Sequence, residues 1–459
     1  MGRKIFIIKI ILSIMIFLPL ILYLFSHLIL VNAWYGGPIR IRPDGSILPY
    51  NAPIATSDKI TYILTDDIQT SGDGIIVERD NIILNGQGHT IVGSGSGAGI
   101  RLYNIKNVTV KNVKAKGFES GIFIRSSSNN KIINNIFSNN VAGIYLYQSS
   151  LNNIIINNTV SNNSWCGIHL EEKSNNNTLL NNAFINCGLL IRYSYLNNVV
   201  NNTVNNRPLV YLENASDLTI KEAGQIILIN CKRIEIKNLN FSNVTIGIEL
   251  WESSNNVIIN NNSTSNWAGI YLHYFSNNNI IIGNMLFNNK HGIRLESSNN
   301  NTIIGNTFLN NSLDGILFDH SFNNTIYHNN FINNTKQVYS YSSINTWDNG
   351  YPSGGNYWSD YTGSDKNLDG IGDTSYIIDY HNIDHYPLIK FYIIISIPSE
   401  TTTTSITLTT LTTYTSPSYT ATISEIPISP INMIFLIIVV IILIAMALLL
   451  LFLKRIKKT

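Results

Sequence analysis

"GIYLYQSSLNNIIINNTVSNN" (residues 143–163) is the stretch on which the fold turns. Nearly half of it is Asn and Ser, it carries no charge, and its apolar residues come in runs too short for a helix face. Its opening Gly, followed by an apolar, a variable and an apolar residue, recurs along the chain. "GIRL" begins at Gly99, "GIFI" at Gly121, "GIYL" at Gly143, "GIHL" at Gly167 and "GLLI" at Gly188. The pattern resumes with "GIEL" at Gly247, "GIYL" at Gly269, "GIRL" at Gly292 and "GILF" at Gly315. Successive spacings are 22, 22, 24 and 21 residues, then 22, 23 and 23. Such a period marks a solenoid.

Each period carries a second pattern: an apolar residue, Asn three places on, and another apolar residue two places later. Ile132, Asn135 and Phe137 show it, as do Ile155, Asn158 and Val160; Leu179, Asn182 and Phe184; Ile303, Asn306 and Phe308; and Ile326, Asn329 and Phe331. The runs are strand length, rich in Ile and Val, and bounded by Asn and Ser turns. About 22 residues therefore make one coil of three short strands, which buries its apolar side chains only by stacking on its neighbours at roughly 4.8 Å. Asn side chains at the bends can bond to backbone and to one another, and Asn tolerates a left-handed backbone. The fold predicted is all-β, a parallel β-helix, right-handed because parallel crossovers almost always are. A leucine-rich solenoid is disfavoured because Asn dominates the repeat. Between Gly188 and Gly247 the pattern deforms around "KEAG", which predicts one irregular coil or bulge.

The domain plan follows. Residues 1–33 combine Arg3, Lys4 and Lys9 with an apolar run and a small Ala33, reading as a signal peptide or an uncleaved anchor. Residues 34–98 form an N-terminal cap and first coils, with 34–63 covering the sheet edge. Residues 99–337 are the repeats, and 338–397 a C-terminal cap. A Thr/Ser-rich stalk (398–430) leads to a transmembrane helix (431–453), long enough for a layer of roughly 30 Å, and a basic cytoplasmic tail (454–459). The plan is a single-pass protein of the cell membrane with an extracellular ectodomain and a cytoplasmic C-terminus. Asn107, Asn157, Asn214, Asn243 and Asn323 open N-x-S/T sequons compatible with a glycoprotein. A charged fraction of 13% and a net charge of +2 give no electrostatic basis for binding nucleic acid.

"NIILNGQGHTIVG" (81–93), the "SNNxI" coils and "GGNYWSDYTGSDKNLDGIGDTSYIIDYHNIDHYPL" (354–388) resemble NosD-type β-helix proteins, in particular those of archaeal cell surfaces. The resemblance spans about residues 60–390. It implies a β-helix of a wider group that includes carbohydrate-binding and sugar-hydrolysing domains. NosD itself is tied to copper delivery in the periplasm. No Met-rich or closely spaced Cys and His cluster stands here for copper, so that role is not carried over.

Side chains at the second and fourth positions after each coil Gly point outward. The fourth-position column reads Tyr103, Arg125, Tyr147, Glu171 and Arg192, then Trp251, His273, Glu296 and Asp319; the second adds Arg101, Phe123, Tyr145, His169, Glu249, Tyr271 and Arg294. Rings beside charged hydrogen-bonding groups on one long flat face suit a polysaccharide, so glycan or cell-envelope binding is the function expected. The predicted ligand face is Tyr103, Arg125, Tyr145, Tyr147, Glu171, Trp251, Tyr271, His273 and Arg294. A polysaccharide lyase or glycoside hydrolase is the alternative, with Glu296 and Asp319 in adjacent coils as a carboxylate pair and His273 and His320 nearby. A structural envelope role, with surface-layer proteins as partners, is the third. "DKNLDGIGD" sets Asp365, Asn367, Asp369 and Asp373 at the spacing of calcium ligands, without the closing Glu, and predicts a structural calcium loop or a plain turn. No cofactor is otherwise required. Cys166 and Cys187 sit one coil apart, within disulfide reach, or stack as buried thiols.

Overall fold

The computed structural model describes residues 34–393. The leader, stalk, membrane helix and tail expected at the ends lie outside them, and among the described residues no helix is long and apolar enough to cross a membrane. The described chain is a right-handed-type β-solenoid of about 13 turns.

Burial by stacking is visible strand by strand. The strand around each coil Gly, here the front strand, runs Ala98–Tyr103, Ser120–Arg125, Ala142–Tyr147 and Cys166–Glu171, each pairing in parallel with its copy in the next coil. Ile100, Ile122, Ile144 and Ile168 lie in register, as do Leu102, Ile124, Leu146 and Leu170, and all are fully buried. Two shorter strands complete the coil. After Ala142–Tyr147 these are Ile154–Ile156 and Thr159–Ser161, which send Ile155 and Val160 into the same core. Each such side chain contributes roughly 1.5–3 kcal/mol when fully buried. The coil glycine is required by proximity: a Cβ on Gly143 would lie 2.4 Å from Val160 Cγ1 and 2.6 Å from the Gly167 carbonyl oxygen.

The paired asparagines divide two tasks that the sequence pattern had merged. The first of each pair takes the left-handed backbone, with φ of 56° at Asn134, 56° at Asn157 and 55° at Asn181. The second turns inward and builds a ladder. Asn158 Oδ1 accepts from both the backbone N–H (2.9 Å) and the Nδ2 (3.0 Å) of Asn135, while Asn158 Nδ2 donates to the Ile132 carbonyl at 2.8 Å and to Asn182 Oδ1 at 3.0 Å. Every polar atom of the buried amide is thereby satisfied.

The region around "KEAG" is more than one irregular coil. The repeats form two stacks. In the N-terminal stack (39–204) the front strands make a sheet of their own that ends at Leu189–Arg192. In the C-terminal stack (207–358) the front strands start at Arg207–Glu213 and prolong a different sheet, the 15-stranded one that the N-terminal stack builds from its third strands. The link is antiparallel, Val204 opposite Arg207, across a two-residue turn in which Asn205 and Asn206 have φ of 49° and 63°. Two adjacent positive φ values are what a tight hairpin turn requires, and Asn supplies them readily. The outward columns of the two stacks therefore do not lie on one continuous face.

Both ends are closed. Residues 34–63 do more than cover an edge, since Ile39–Ile41 already pairs in parallel with Ile75–Val77; antiparallel Ile47–Leu48 and Ile54–Ala55 finish that end. At the other end Phe308, Phe331, Trp358 and Tyr376 stack in series at 4.8, 4.3 and 4.1 Å. Buried Asp384 accepts from Trp358 Nε1 and the Asn356 N–H, each at 2.8 Å, and burial pushes its carboxyl up to about 6.

Candidate functional site

On the N-terminal stack the outward columns stand as the repeat predicts. Arg101, Phe123, Tyr145 and His169 are in register, as are Tyr103, Arg125 and Tyr147. Guanidinium groups alternate with rings: Arg125 lies 5.2 Å from the Tyr103 ring and 5.6 Å from that of Tyr147, and Arg101 lies 5.3 Å from that of Phe123. Asp73 fixes Arg101 by accepting from Nε at 2.8 Å and Nη2 at 2.6 Å, and Arg125 Nε donates to Gln148 Oε1 at 2.7 Å. Arg101, Phe123, Tyr145 and Tyr147 line a groove of about 180 Å³, and Tyr103 is 52% exposed. This surface is open, aromatic and held in place by its own polar contacts.

At the junction the same columns close over. Outward residues pass from half-buried at Tyr145 to fully buried at His169, stay buried at Glu249, Tyr271, Trp251 and His273, and emerge again at Arg294. Trp251 is 1%, Tyr271 3% and His273 0% exposed, which removes all three from the ligand face expected of them. The cause is the other stack. Tyr193 and Tyr195 meet Trp251 edge-on at 5.1 and 5.8 Å, the Gly188 N–H donates to Thr245 Oγ1 at 3.0 Å, and Gln225 bonds both the N–H (2.9 Å) and the carbonyl (2.7 Å) of Leu189. Ile227 and Ile229, which face outward from the C-terminal stack, pack into the core of the N-terminal one.

A polar cluster runs along the seam, part-exposed at Arg192 and Arg294 and fully buried at Glu249 and His273. Tyr145 donates to Glu171 and Tyr271 to Glu296, so each tyrosine reaches the glutamate of the next coil. Arg192 lies 3.6 Å from Glu171 Oε1, and Arg294 Nη2 donates to Glu296 Oε2 at 3.2 Å. His273 Nε2 lies 3.1 Å from Glu249 Oε1. Burial pushes Glu249 well up and His273 down to about 3, so it favours the uncharged form of each. Burial, aided by Arg192, likewise lowers His169 to about 3; neither of its ring nitrogens has a hydrogen-bond partner.

The proposed catalytic residues are not assembled. Glu296 and Asp319 are register partners, but Glu296 is held by Tyr271 and Arg294, whereas Asp319 pairs with His320 Nδ1 at 2.6 Å. His273 is enclosed with Glu249. In the acidic loop the carboxylates turn onto their own backbone. Asp365 accepts from the N–H of Asp369 and Gly370, Asp369 from Ile371, and Asp373 from Lys366, while Asn367 donates to Asp369. Among the described residues no three His, Cys, Asp or Glu side chains converge as metal ligands. Cys166 and Cys187 are free and buried, the second outcome that their spacing offered, and Cys187 Sγ donates to the Val160 carbonyl at 3.2 Å. The column reading missed Trp165 and Trp267. Each stands two residues before a coil Gly, in "WCGIHLE" and "WAGIYLH", and that shared offset is the signal that could have found them.

The sequence profile of the family described as periplasmic copper-binding protein (NosD) matches residues 44–225 and 209–363. No curated protein matches the sequence. Among solved structures the chain is similar to the Azotobacter vinelandii mannuronan C-5 epimerase AlgE6 A-module, with 14% identity and a TM-score of 0.32 over 70% of this chain and 92% of that one. It is also similar to the periplasmic alginate epimerase AlgG, with 16% identity and a TM-score of 0.25 over 68% of this chain and 84% of that one. A third is a mutant tailspike protein of E. coli bacteriophage HK620 in complex with pentasaccharide, with 10% identity and a TM-score of 0.27 over 62% and 69% of the two chains.

Proposed function

The chain belongs to the NosD family, and from that premise we propose that it is a cell-surface glycan-binding protein, held to the membrane by its C-terminal apolar segment and presenting the outer face of its N-terminal stack to envelope polysaccharide. One observation carries the reading: the open ladder of Tyr103, Arg125 and Tyr147 beside Arg101 and Phe123. Rings cover the apolar faces of sugars, and the guanidinium groups between them donate to hydroxyls and carboxylates at the sugar edges. The pairing runs over three successive coils, as contact with successive sugars of a polymer would require.

The family is described by copper binding, but the residues present do not fit a copper centre. Among the described residues no three ligating side chains converge, and the thiols of Cys187 and Cys231 donate to backbone carbonyls inside the cores. The test of the glycan reading is retention of the full-length protein on an array of neutral and acidic polysaccharides. Retention lost in Tyr147→Ala and Arg125→Ala supports it; a protein retained by no glycan overturns it.

A further inference from the structure

The two stacks meet along more than a dry seam. Where the front strands begin, a groove of about 300 Å³ separates them, with walls from both stacks. Trp165 comes from the N-terminal stack and Trp267 from the C-terminal one, and both are half-buried, so part of each indole faces the groove. Both rings are fixed from behind. Trp165 packs edge-on against His169 at 4.7 Å, and Trp267 against Tyr271 at 5.9 Å and His291 at 5.4 Å, with the Arg294 guanidinium 5.4 Å from its ring. Both rest on one apolar cluster that includes Cys166, Leu190, Ile246 and Ala268. Rings held this way lose little freedom when a ligand arrives.

The rest of the lining supplies carboxamides and hydroxyls, among them Asn186, Asn243 and Ser265, with Lys290 at the rim and no carboxylate. The volume lies at the lower end of the roughly 300–1,000 Å³ usual for ligand sites. We infer that this groove binds a short uncharged or N-acetylated oligosaccharide segment between Trp165 and Trp267. An indole on each wall covers the apolar face of a sugar ring, and the Asn and Ser side chains pair with its hydroxyl and acetamido groups. This inference rests on the glycan-binding reading but places a second subsite, walled by both stacks, away from the open ladder.

Chitotriose, maltotriose and trigalacturonate, titrated against the full-length protein and followed by tryptophan emission and calorimetry, test it. Chitotriose or maltotriose is expected to bind saturably and change the emission. Trp165→Ala and Trp267→Ala each weaken that binding at least about tenfold, the scale of an aromatic anchor. Ser164→Trp, at an exposed groove position, blocks binding without removing any buried packing. Tyr380→Ala, on the exposed surface of the C-terminal cap, leaves binding unchanged. Binding insensitive to Ser164→Trp and to both Trp→Ala variants overturns the groove; if it is lost on Tyr147→Ala instead, the open ladder stands without it. Binding of trigalacturonate alone also overturns the groove, as does binding of no probe; the open ladder is then decided by the polysaccharide array.

Discussion

The two stacks use one internal grammar and meet opposite fates outside. In both, Ile and Leu columns fill the core and Asn ladders stitch the bends, from Asn135, Asn158 and Asn182 in the first to Asn284, Asn306 and Asn329 in the second. Yet Tyr147, an outward residue of the first stack, is half-exposed, whereas Trp251, at the same offset from its coil Gly in the second, is sealed against Tyr193 and Tyr195. The repeat therefore dictates which way a side chain points, and the packing of distant coils decides whether it meets water.

Truncating both residues should give the largest contrast. Trp251→Ala should cost about 3–5 kcal/mol in denaturant unfolding, the usual loss for a large buried aromatic, whereas Tyr147→Ala should cost almost nothing. The ladders come next. Asn158→Ala leaves the backbone N–H and Nδ2 of Asn135 without their acceptor and should cost about 2–4 kcal/mol. Its neighbour Asn157 makes the turn instead, so Asn157→Ala should cost only about 1–2 kcal/mol through its left-handed backbone.

Acidity separates the junction from the C-terminal cap. Asp384 is raised to about 6, so between pH 4 and 6 the folded chain holds a proton that the unfolded chain releases. Its contribution is present in full below pH 4 and lost as pH rises through 6, on the order of 2–3 kcal/mol. Asp384→Asn should flatten that slope in unfolding curves taken from pH 4 to 7. His169 runs the other way: lowered to about 3, it is neutral when folded, so its contribution is present above pH 6.5 and lost as pH falls towards 3. His169→Phe keeps a ring stacked on Tyr145 and should make the protein more resistant to acid than the parent, measured by melting at pH 5 and pH 7. The smallest effect on stability is that of Tyr147→Ala, within about 0.5 kcal/mol as for most surface changes, although glycan retention should fall with it.

Much of the fold was legible because stacking translates sequence period directly into register. Gly121, Gly143 and Gly167 announce successive coils, and Ile122, Ile144 and Ile168 stack as that spacing requires. The reversal at Asn205–Asn206 was not legible. "NN" closes bends in most coils, with the first Asn left-handed and the second in the ladder, and nothing local marks the one pair in which both are left-handed and the strand turns back. The exposure of the outward columns was half legible for the same reason. Tyr103, Arg125 and Tyr147 are open as read; Trp251, Tyr271 and His273 are covered by residues far away in sequence.

The sequence by itself determined the coil, its three strands, the apolar columns and the direction of the side chains that follow each coil Gly, because a short period repeated many times leaves a stacked chain a single way to bury its Ile and Leu. Only the tertiary structure decided that there are two stacks, that their outer faces meet around Glu249 and His273, and that Trp165 and Trp267 share one groove. Those outcomes depend on where one hairpin turns the chain, and a side chain's exposure is set by everything that packs against it, not by its place in a repeat.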